Sequence, residues 1–154
     1  MSHEVLVTTD IHVFAARSAV RAQAEAVGFG RIQCDELAIV ASELASNILK
    51  YGVRGAIVVG AVNDSEQGPG LRIEARDRGP AFRDIATAIQ DGCGDAGPLD
   101  PAMMSRRRGL GAGLGAVVRF TDSFECQQEE GSKRIIVVRY VRRPHARRPG
   151  AYGA

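Results

Sequence analysis

Tryptophan is absent from the 154-residue sequence, aromatic residues make up 5% of it, and it contains 3 cysteines. Cys34, Cys93 and Cys126 are widely spaced, which fits neither a disulfide framework nor a zinc motif and is typical of a reducing cytoplasm. There is no tryptophan and no aromatic platform among the arginines, so a surface that stacks single-stranded nucleic acid is not expected. We therefore predict a cytoplasmic protein without a nucleic-acid partner.

Long apolar runs are also missing. No stretch approaches the ~20 residues of a membrane-spanning helix, and the first residues, MSHEVLVTTD, lack the basic and then apolar layout of a signal peptide. The composition, 45% hydrophobic and 25% charged with a net charge of +2, is typical of one soluble globular domain. We place this domain at 1–141, with an irregular segment at 91–108, and interpret 142–154 as a basic, flexible tail. No membrane partner is expected.

Hydrophobic periodicity predicts a mixture of helices and strands. In chain order they are a strand over Glu4–Thr9, a helix capped by Asp10 that runs to about Val27, a helix from Asp35 to Gly52, strands over Ala56–Asn63 and Leu71–Asp77, short helices over 85–90 and Ala116–Phe120, and strands over Ser123–Gln128 and Lys133–Val141. A seven-residue turn, Asp64–Gly70, joins the second and third strands. This order predicts an α+β fold with helices on one face of a mostly antiparallel sheet.

The helix from Asp35 to Gly52 carries two stripes of side chains, and Asp35 is predicted to cap its start. The apolar stripe consists of Leu37, Val40, Ala41, Leu44 and Ile48, and the polar stripe consists of Glu36, Glu43, Asn47 and Lys50. Glu43 and Asn47 lie one turn apart and point the same way. A carboxylate and an amide so placed suit a proton acceptor and a ligand of a metal-bound phosphate, whereas the alternative is a solvated helix face.

Three further motifs contain residues suited to ligand binding. The motif DRGP at 77–80 ends a strand, so Asp77 can accept a hydrogen bond from an exocyclic amine such as that of adenine, and Gly79 lets a base approach the backbone. The alternative is a plain strand-to-turn exit. The run Gly109–Gly115 has glycine at every second position before a helix, which suits either a phosphate-binding loop or a flexible hinge. Gly131-Ser132 alone indicates only a turn.

In order and spacing, these motifs resemble those of the GHKL ATPase superfamily. ELASN, with Glu43 and Asn47, is similar to its helix motif, and Asp77 and Gly79 are similar to its Asp-x-Gly-x-Gly. RGLGAGLGAV is similar to its glycine loop, and Gly131-Ser132 stands where that family has Gly-Thr. FAARSAVRAQAEAVGFG, SELASNI and IQDG further resemble the anti-sigma-type serine/threonine kinases, in particular the RsbT-type switch kinases of stressosome signalling. The resemblance implies a Bergerat-type ATP-binding sandwich.

The resemblance also implies roles for individual residues in ATP-dependent phosphoryl transfer with Mg²⁺. Glu43 is implied as the general base that takes the proton of the attacking hydroxyl, and Asn47 as the ligand of Mg²⁺. Asp77 is implied to bind the adenine amine beside Gly79, and Ser132 to support the adenine. The residues implied at the phosphates are Gly109, Leu110, Gly111, Ala112, Gly113 and Leu114 of the glycine loop, with Lys50 or Arg108 offsetting the developing charge.

For partners, the resemblance implies a serine or threonine on a STAS-domain antagonist protein as the acceptor, and a PP2C-type phosphatase that the kinase activates. Ala81 departs from the pattern because it replaces the second glycine of the Asp motif, and a positive φ there would cost alanine on the order of 1 kcal/mol. This departure favours an alternative, a GHKL-fold module that sequesters a protein partner. A third hypothesis, a nucleic-acid-associated regulator using Arg106–Arg108 and the tail, predicts steeply salt-dependent binding.

Overall fold

The computed structural model describes residues 1–51, 53–79, 93–94, 97–98 and 113–142. Its helices are α1 (Asp10–Val27), α2 (Arg31–Tyr51) and α3 (Gly113–Arg119). Its strands are β1 (Ser2–Val7), β2 (Gly55–Asp64), β3 (Gly68–Asp77), β4 (Cys93–Gly94), β5 (Gly97–Pro98), β6 (Ser123–Glu129) and β7 (Ser132–Tyr140).

One antiparallel sheet organises the fold. Its strand order is β1-β2-β3-β7-β6, and each of its pairings is antiparallel, while β4 and β5 pair with each other. The helices α1 and α2 pack against each other and onto the sheet. The buried core between these layers includes Val20, Leu37, Leu44, Ile57, Ile73 and Val137. The predicted α+β class, with helices packed on a mostly antiparallel sheet, is confirmed.

Side chains of β3 and β7 alternate between two faces of the sheet, because successive residues of a strand point in opposite directions. The residues on the face toward the helices are Leu71, Ile73, Ala75, Asp77, Lys133, Ile135 and Val137. The residues on the opposite face are Arg72, Glu74, Arg76, Ser132, Arg134, Ile136 and Val138. Asp77 and Lys133 are paired in the register of the two strands, so they lie side by side at the end of the helix-facing rows.

The first helix is capped one residue earlier than predicted. Backbone N–H groups of Thr8 and Thr9 donate to His12 Nδ1 at 3.0 and 3.3 Å, so Thr9 is the N-cap and Asp10 is the first helical residue. The same hydrogen bonds take Thr8 and Thr9 out of the preceding strand, which ends at Val7. The prediction that Asp10 caps the helix and that the strand reaches Thr9 was wrong.

The second helix begins at Arg31, four residues before the predicted start. The Cys34 N–H donates to the Gly30 carbonyl at 2.9 Å, and the Gln33 side chain accepts the Gly30 N–H at 3.1 Å. These bonds satisfy backbone groups of the first turn, so Gly30 serves as the cap. Asp35 instead lies within the helix and pairs with Arg21 at 2.6 Å, and its predicted capping role was wrong.

The turn between β2 and β3 is shorter than the seven residues predicted, because only 65–67 separate the strands. Asp64 Oδ1 accepts hydrogen bonds from the N–H groups of Glu66 and Gln67, both at 2.8 Å. Gly68 follows with φ 81°, a left-handed conformation that glycine adopts without a steric penalty. The side chain of Asp64 therefore closes the hairpin early, and β3 begins at Gly68.

The glycine repeat is partly helical, since α3 begins at Gly113 rather than Ala116 and ends at Arg119. The other predicted strands differ from the structure by one residue at one or both ends, a scatter usual for element boundaries. The predicted short helix at 85–90, Ala81, Arg106–Arg108 and all but four residues of 91–108 lie outside the described residues, as does the tail beyond 142.

Candidate functional site

The second half of α2 presents the polar residues predicted to carry chemistry. Its apolar stripe is buried in the core, which fixes the rotation of the helix. Glu43 is 5% exposed, and Asn47 and Lys50 are half-buried. Glu43 and Asn47 therefore belong to a packed surface, and the alternative of a solvated helix face does not hold for these two side chains.

A buried hydroxyl lies within this group. Ser46, one turn after Glu43, is 2% exposed. Its Oγ has no hydrogen-bond partner within the part of the chain that the structure describes. Buried hydroxyl groups normally have a partner, so Ser46 offers a polar group to a ligand bound at this end of α2. Sequence reasoning missed Ser46, although its position between Glu43 and Asn47 was the available signal.

Gly55 brings the end of α2 close to the end of β3. A Cβ added at Gly55 would lie 2.1 Å from Ile48 Cγ2 and 3.0 Å from the Arg76 carbonyl oxygen. The turn of α2 that carries Asn47 and Ile48 therefore packs directly against the end of β3, where Asp77 lies. Glycine at position 55 permits this approach, because a larger residue would push the helix away from the sheet.

Asp77 is held by two groups at the end of β3. Its Oδ1 accepts the Gly79 N–H at 2.7 Å, and its Oδ2 lies 3.7 Å from Lys133 Nζ. Burial raises the pKa of Asp77, and the positive charge of Lys133 and the Gly79 hydrogen bond only partly oppose that rise. The motif residues Asp77 and Gly79 are thus brought together in a tight turn, with one carboxylate oxygen facing a cation.

Lys133 is a second residue of this site that sequence reasoning missed. Its side chain is 2% exposed, and it continues the helix-facing row of Ile135 and Val137. Counting back in steps of two from those apolar residues would have placed Lys133 on this face. Ser132, predicted to support adenine, follows the opposite alternation with Arg134, so the structure places Lys133, not Ser132, against the Asp77 carboxylate.

The glycine loop is only partly described. Gly113 has φ 61°, a conformation that favours glycine, and Leu114 is buried, so these two residues form the packed start of α3 against α2. The predicted phosphate contacts at Gly109, Leu110, Gly111 and Ala112, and the predicted charge at Arg108, lie outside the described residues.

Glu36 does not join the site, although it was placed on the same polar stripe. Its carboxylate pairs with Arg139 at 2.6 Å, and Arg139 is paired in register with Leu71. Asp77 lies six residues further along β3. The polar stripe of α2 therefore divides into an ion pair at its beginning and the candidate site at its end.

Comparison with known proteins assigns the family. Residues 6–139 match the model of the histidine kinase-like ATPase domain, which is nearly the whole chain. The chain belongs to this family. The predicted superfamily and fold are thereby confirmed. The site described above, at the end of α2 and the end of β3, lies within the matched residues.

Two relatives of the histidine kinase-like ATPase domain are informative. The serine/threonine-protein kinase RsbT of Bacillus subtilis (strain 168) is 33% identical over 139 residues, which make up 90% of this chain and 96% of that protein. The crystal structure of the RsbU and RsbW domains of Rv1364c from Mycobacterium tuberculosis is similar with a TM-score of 0.59 at 15% identity. The match covers 94% of this chain and 33% of that one, so this chain spans about a third of its length, and this likeness concerns the fold alone.

The residues present fit the ligand that an ATPase-type domain implies. Asp77 offers an acceptor for an amine, Ser46 offers a buried hydroxyl, and Asn47 offers a side-chain oxygen of the kind that Mg²⁺ takes. Ser46 and Asn47 lie near the end of α2, and Asp77 lies at the end of β3, which approaches α2 at Gly55. None of the helices described is long and apolar enough to cross a lipid bilayer.

Proposed function

We propose that the protein is an ATP-dependent, Mg²⁺-requiring serine/threonine protein kinase of a bacterial partner-switching pathway, with a STAS-domain antagonist as its substrate. One observation carries the proposal: the buried Glu43 carboxylate and the half-buried Asn47 lie near the end of α2 that packs against the end of β3, where Asp77 lies. The 33% identity with a serine/threonine-protein kinase over 90% of the chain supports the same activity. In such a pathway the released kinase would activate a PP2C-type phosphatase.

The chain's own residues would act by positioning and by moving one proton. Glu43 would receive the proton of the acceptor hydroxyl, and its burial would keep water away from that transfer. Asp77, whose orientation is fixed by Gly79 and Lys133, would accept the adenine amine. Asn47 would hold Mg²⁺, which would offset the charge that develops on the phosphoryl group supplied by ATP. Lys50 would add positive charge at the same helix end.

Replacement of Glu43 tests the base. Glu43→Gln keeps the size of the side chain but cannot take a proton, so phosphotransfer to a STAS protein should fall by about 10²-fold or more. Affinity for ADP should stay within about twofold, since the residue contributes to the chemical step and not to nucleotide binding. Both are measured with purified protein, by radiolabelled phosphotransfer and by calorimetry.

Glu36→Gln is the matched control, because it makes the same change on the same helix at a residue paired with Arg139. We expect it to retain phosphotransfer. A Glu43→Gln protein that phosphorylates its substrate as fast as the wild type would contradict the assignment of Glu43 as the base.

A second candidate function is supported by the position of Lys133. Its ammonium group lies 3.7 Å from the Asp77 oxygen that would accept the adenine amine, and that contact competes with nucleotide. Strong competition would leave a module that binds a protein partner without phosphorylating it. Nucleotide titration separates the two candidates, because the sequestering module predicts no binding at millimolar ADP.

A further inference from the structure

The face of the sheet that points away from α1 and α2 contains a pocket rich in arginine. The pocket has a volume of about 440 Å³, which lies within the range of small-molecule sites. Its lining residues are Arg54, Ala56, Arg76, Asp77, Arg78, Gln127, Glu129, Ser132, Lys133 and Arg134. We call it the arginine pocket. Five basic and two acidic residues line it, so it attracts anions.

The arginine pocket is distinct from the proposed nucleotide site. Arg76 and Arg134 lie on the opposite face of the sheet from Asp77 and Lys133, as strand alternation requires. The side chains of Asp77 and Lys133 are 4% and 2% exposed, so they contribute little surface to an open pocket. A ligand would instead meet the guanidinium groups, since the side chains of Arg76 and Arg134 are 46% and 45% exposed.

Arg76 and Arg134 are both held in place by the buried carboxylate of Glu74. Nε of Arg76 and Nε of Arg134 lie 2.6 and 2.9 Å from the same oxygen of Glu74, whose side chain is 1% exposed. This bond uses one donor of each guanidinium. Arg134 Nη1 also donates to Gln127 Oε1 at 3.4 Å, and Arg76 Nη1 lies 3.8 Å from Glu4. The remaining N–H groups can meet further partners. The pair is therefore pre-organised side by side, which lowers the entropy cost of binding an oxyanion.

Arg54 and Arg78 complete the set from the adjoining turns. Neither forms an ion pair with any residue in the described ranges, and the Arg78 N–H donates to the Val53 carbonyl at 2.7 Å, which ties the two turns together. Arg54 has φ 51°, a conformation that costs a residue with a side chain roughly 1 kcal/mol relative to glycine. A strained backbone at an arginine that faces a pocket points to a role for its side chain.

We propose that the arginine pocket binds a small molecule carrying several oxyanion groups, phosphates or carboxylates. Guanidinium groups match both kinds of oxyanion with paired hydrogen bonds. The volume of about 440 Å³ exceeds that of a single phosphate and suits a ligand with two or more charged groups. The proposal does not rest on the proposed kinase activity, because the guanidinium groups that carry it lie on the other face of the sheet, although Asp77 and Lys133 border both sites.

The test uses pyrophosphate and citrate as probes and calorimetry of the full chain at low salt. Either probe should bind more weakly as salt is added, because the contacts are partly exposed charges. Arg54→Gly should weaken binding by about tenfold, the usual effect of losing a charged hydrogen-bond donor. The same substitution should leave the unfolding midpoint unchanged or raised, since glycine relieves the positive φ.

Arg72→Gln is the matched control, because Arg72 pairs with Glu74 at 2.7 Å but does not line the pocket. It should retain the wild-type affinity for the probe. Tighter binding of pyrophosphate identifies phosphate ligands, and tighter binding of citrate identifies carboxylate ligands.

Three results would overturn the proposal. The first is no binding of either probe up to about 10 mM. The second is an Arg54→Gly protein that binds like the wild type, and the third is an Arg72→Gln protein that loses the probe as fully as Arg54→Gly does. None of these depends on phosphotransfer, so failure of the arginine pocket and failure of the proposed kinase are separable.

Discussion

Glu74 shows how a single buried carboxylate stabilises the face of the sheet opposite the helices. It is nearly inaccessible, and it lies within 3 Å of Arg72, Arg76 and Arg134. Burial by itself would raise the pKa of Glu74, but the hydrogen bonds and charges of the three arginines outweigh burial and lower it below 4.5. A carboxyl group with a lowered pKa in the folded state stabilises that state when it is ionised.

Glu74→Gln should therefore destabilise the protein at neutral pH, by about 2 kcal/mol, because three half-exposed arginines lose their charged partner. The stabilisation from Glu74 is complete above about pH 4.5 and is lost as pH falls through its lowered pKa. The gap between wild type and variant in urea denaturation should thus be largest near neutral pH and shrink in acid.

Glu4→Gln is the control for that experiment. Glu4 lies 3.8 Å from Arg76, but both side chains are about half exposed, so its loss should cost less than ~0.5 kcal/mol. If the difference in unfolding free energy between Glu74→Gln and the wild type stayed constant down to about pH 3, the account would be refuted. It would also be refuted if that difference were no larger than the one for Glu4→Gln.

At the same scale, the sequence singled out Glu43 and Asn47 by their helical spacing and Asp77 by its place at the end of a strand, whereas it did not single out Ser46 or Lys133. A lysine between serine and arginine is expected at a polar turn, and its burial depends on which residues of β7 face the helices. Which residues of β7 face the helices is set by the tertiary pairing of β7 with β3. A local sequence pattern does not contain this information.

At the scale of elements, the close contact between α2 and the sheet at Gly55 is the feature most sensitive to substitution. Gly55→Ala would place a methyl group 2.1 Å from Ile48 Cγ2, so the helix end or the strand must move. We expect a loss of about 1–3 kcal/mol in the free energy of unfolding, as for other overpacked sites, and weaker nucleotide binding because Asn47 and Asp77 are moved apart.

Gly60→Ala on the same strand is the matched control, since its nearest neighbouring atom would be 3.4 Å away. It should change the stability by less than ~0.5 kcal/mol. Urea denaturation of both variants checks this prediction, and equal stability of Gly55→Ala and Gly60→Ala would show that the contact is not tight.

The existence and type of the main elements followed from hydrophobic periodicity, but their ends did not. The start of α2 at Arg31 and the early closure of the hairpin at Asp64 depend on the hydrogen bonds of Gln33 and Asp64. Such bonds depend on the conformation of a few residues, which periodicity does not report.

At the scale of the whole molecule, the order of the motifs along the chain predicted the superfamily, although each motif alone was ambiguous. The fold explains why the order is informative, since the end of α2 and the end of β3 meet at Gly55, and α3 packs against α2. The sequence could not show that a buried cation, Lys133, would share this site with Asp77. That contact bears directly on whether nucleotide binds.

The most direct measurement of the central claim is therefore calorimetric titration of the protein with ADP, with and without Mg²⁺. We predict binding that is tighter with Mg²⁺, and at least about tenfold weaker binding by Asp77→Asn, which loses the carboxylate that accepts the adenine amine. Absence of binding at millimolar ADP, or equal affinity of Asp77→Asn and the wild type, would contradict an ATP-dependent kinase that uses this site.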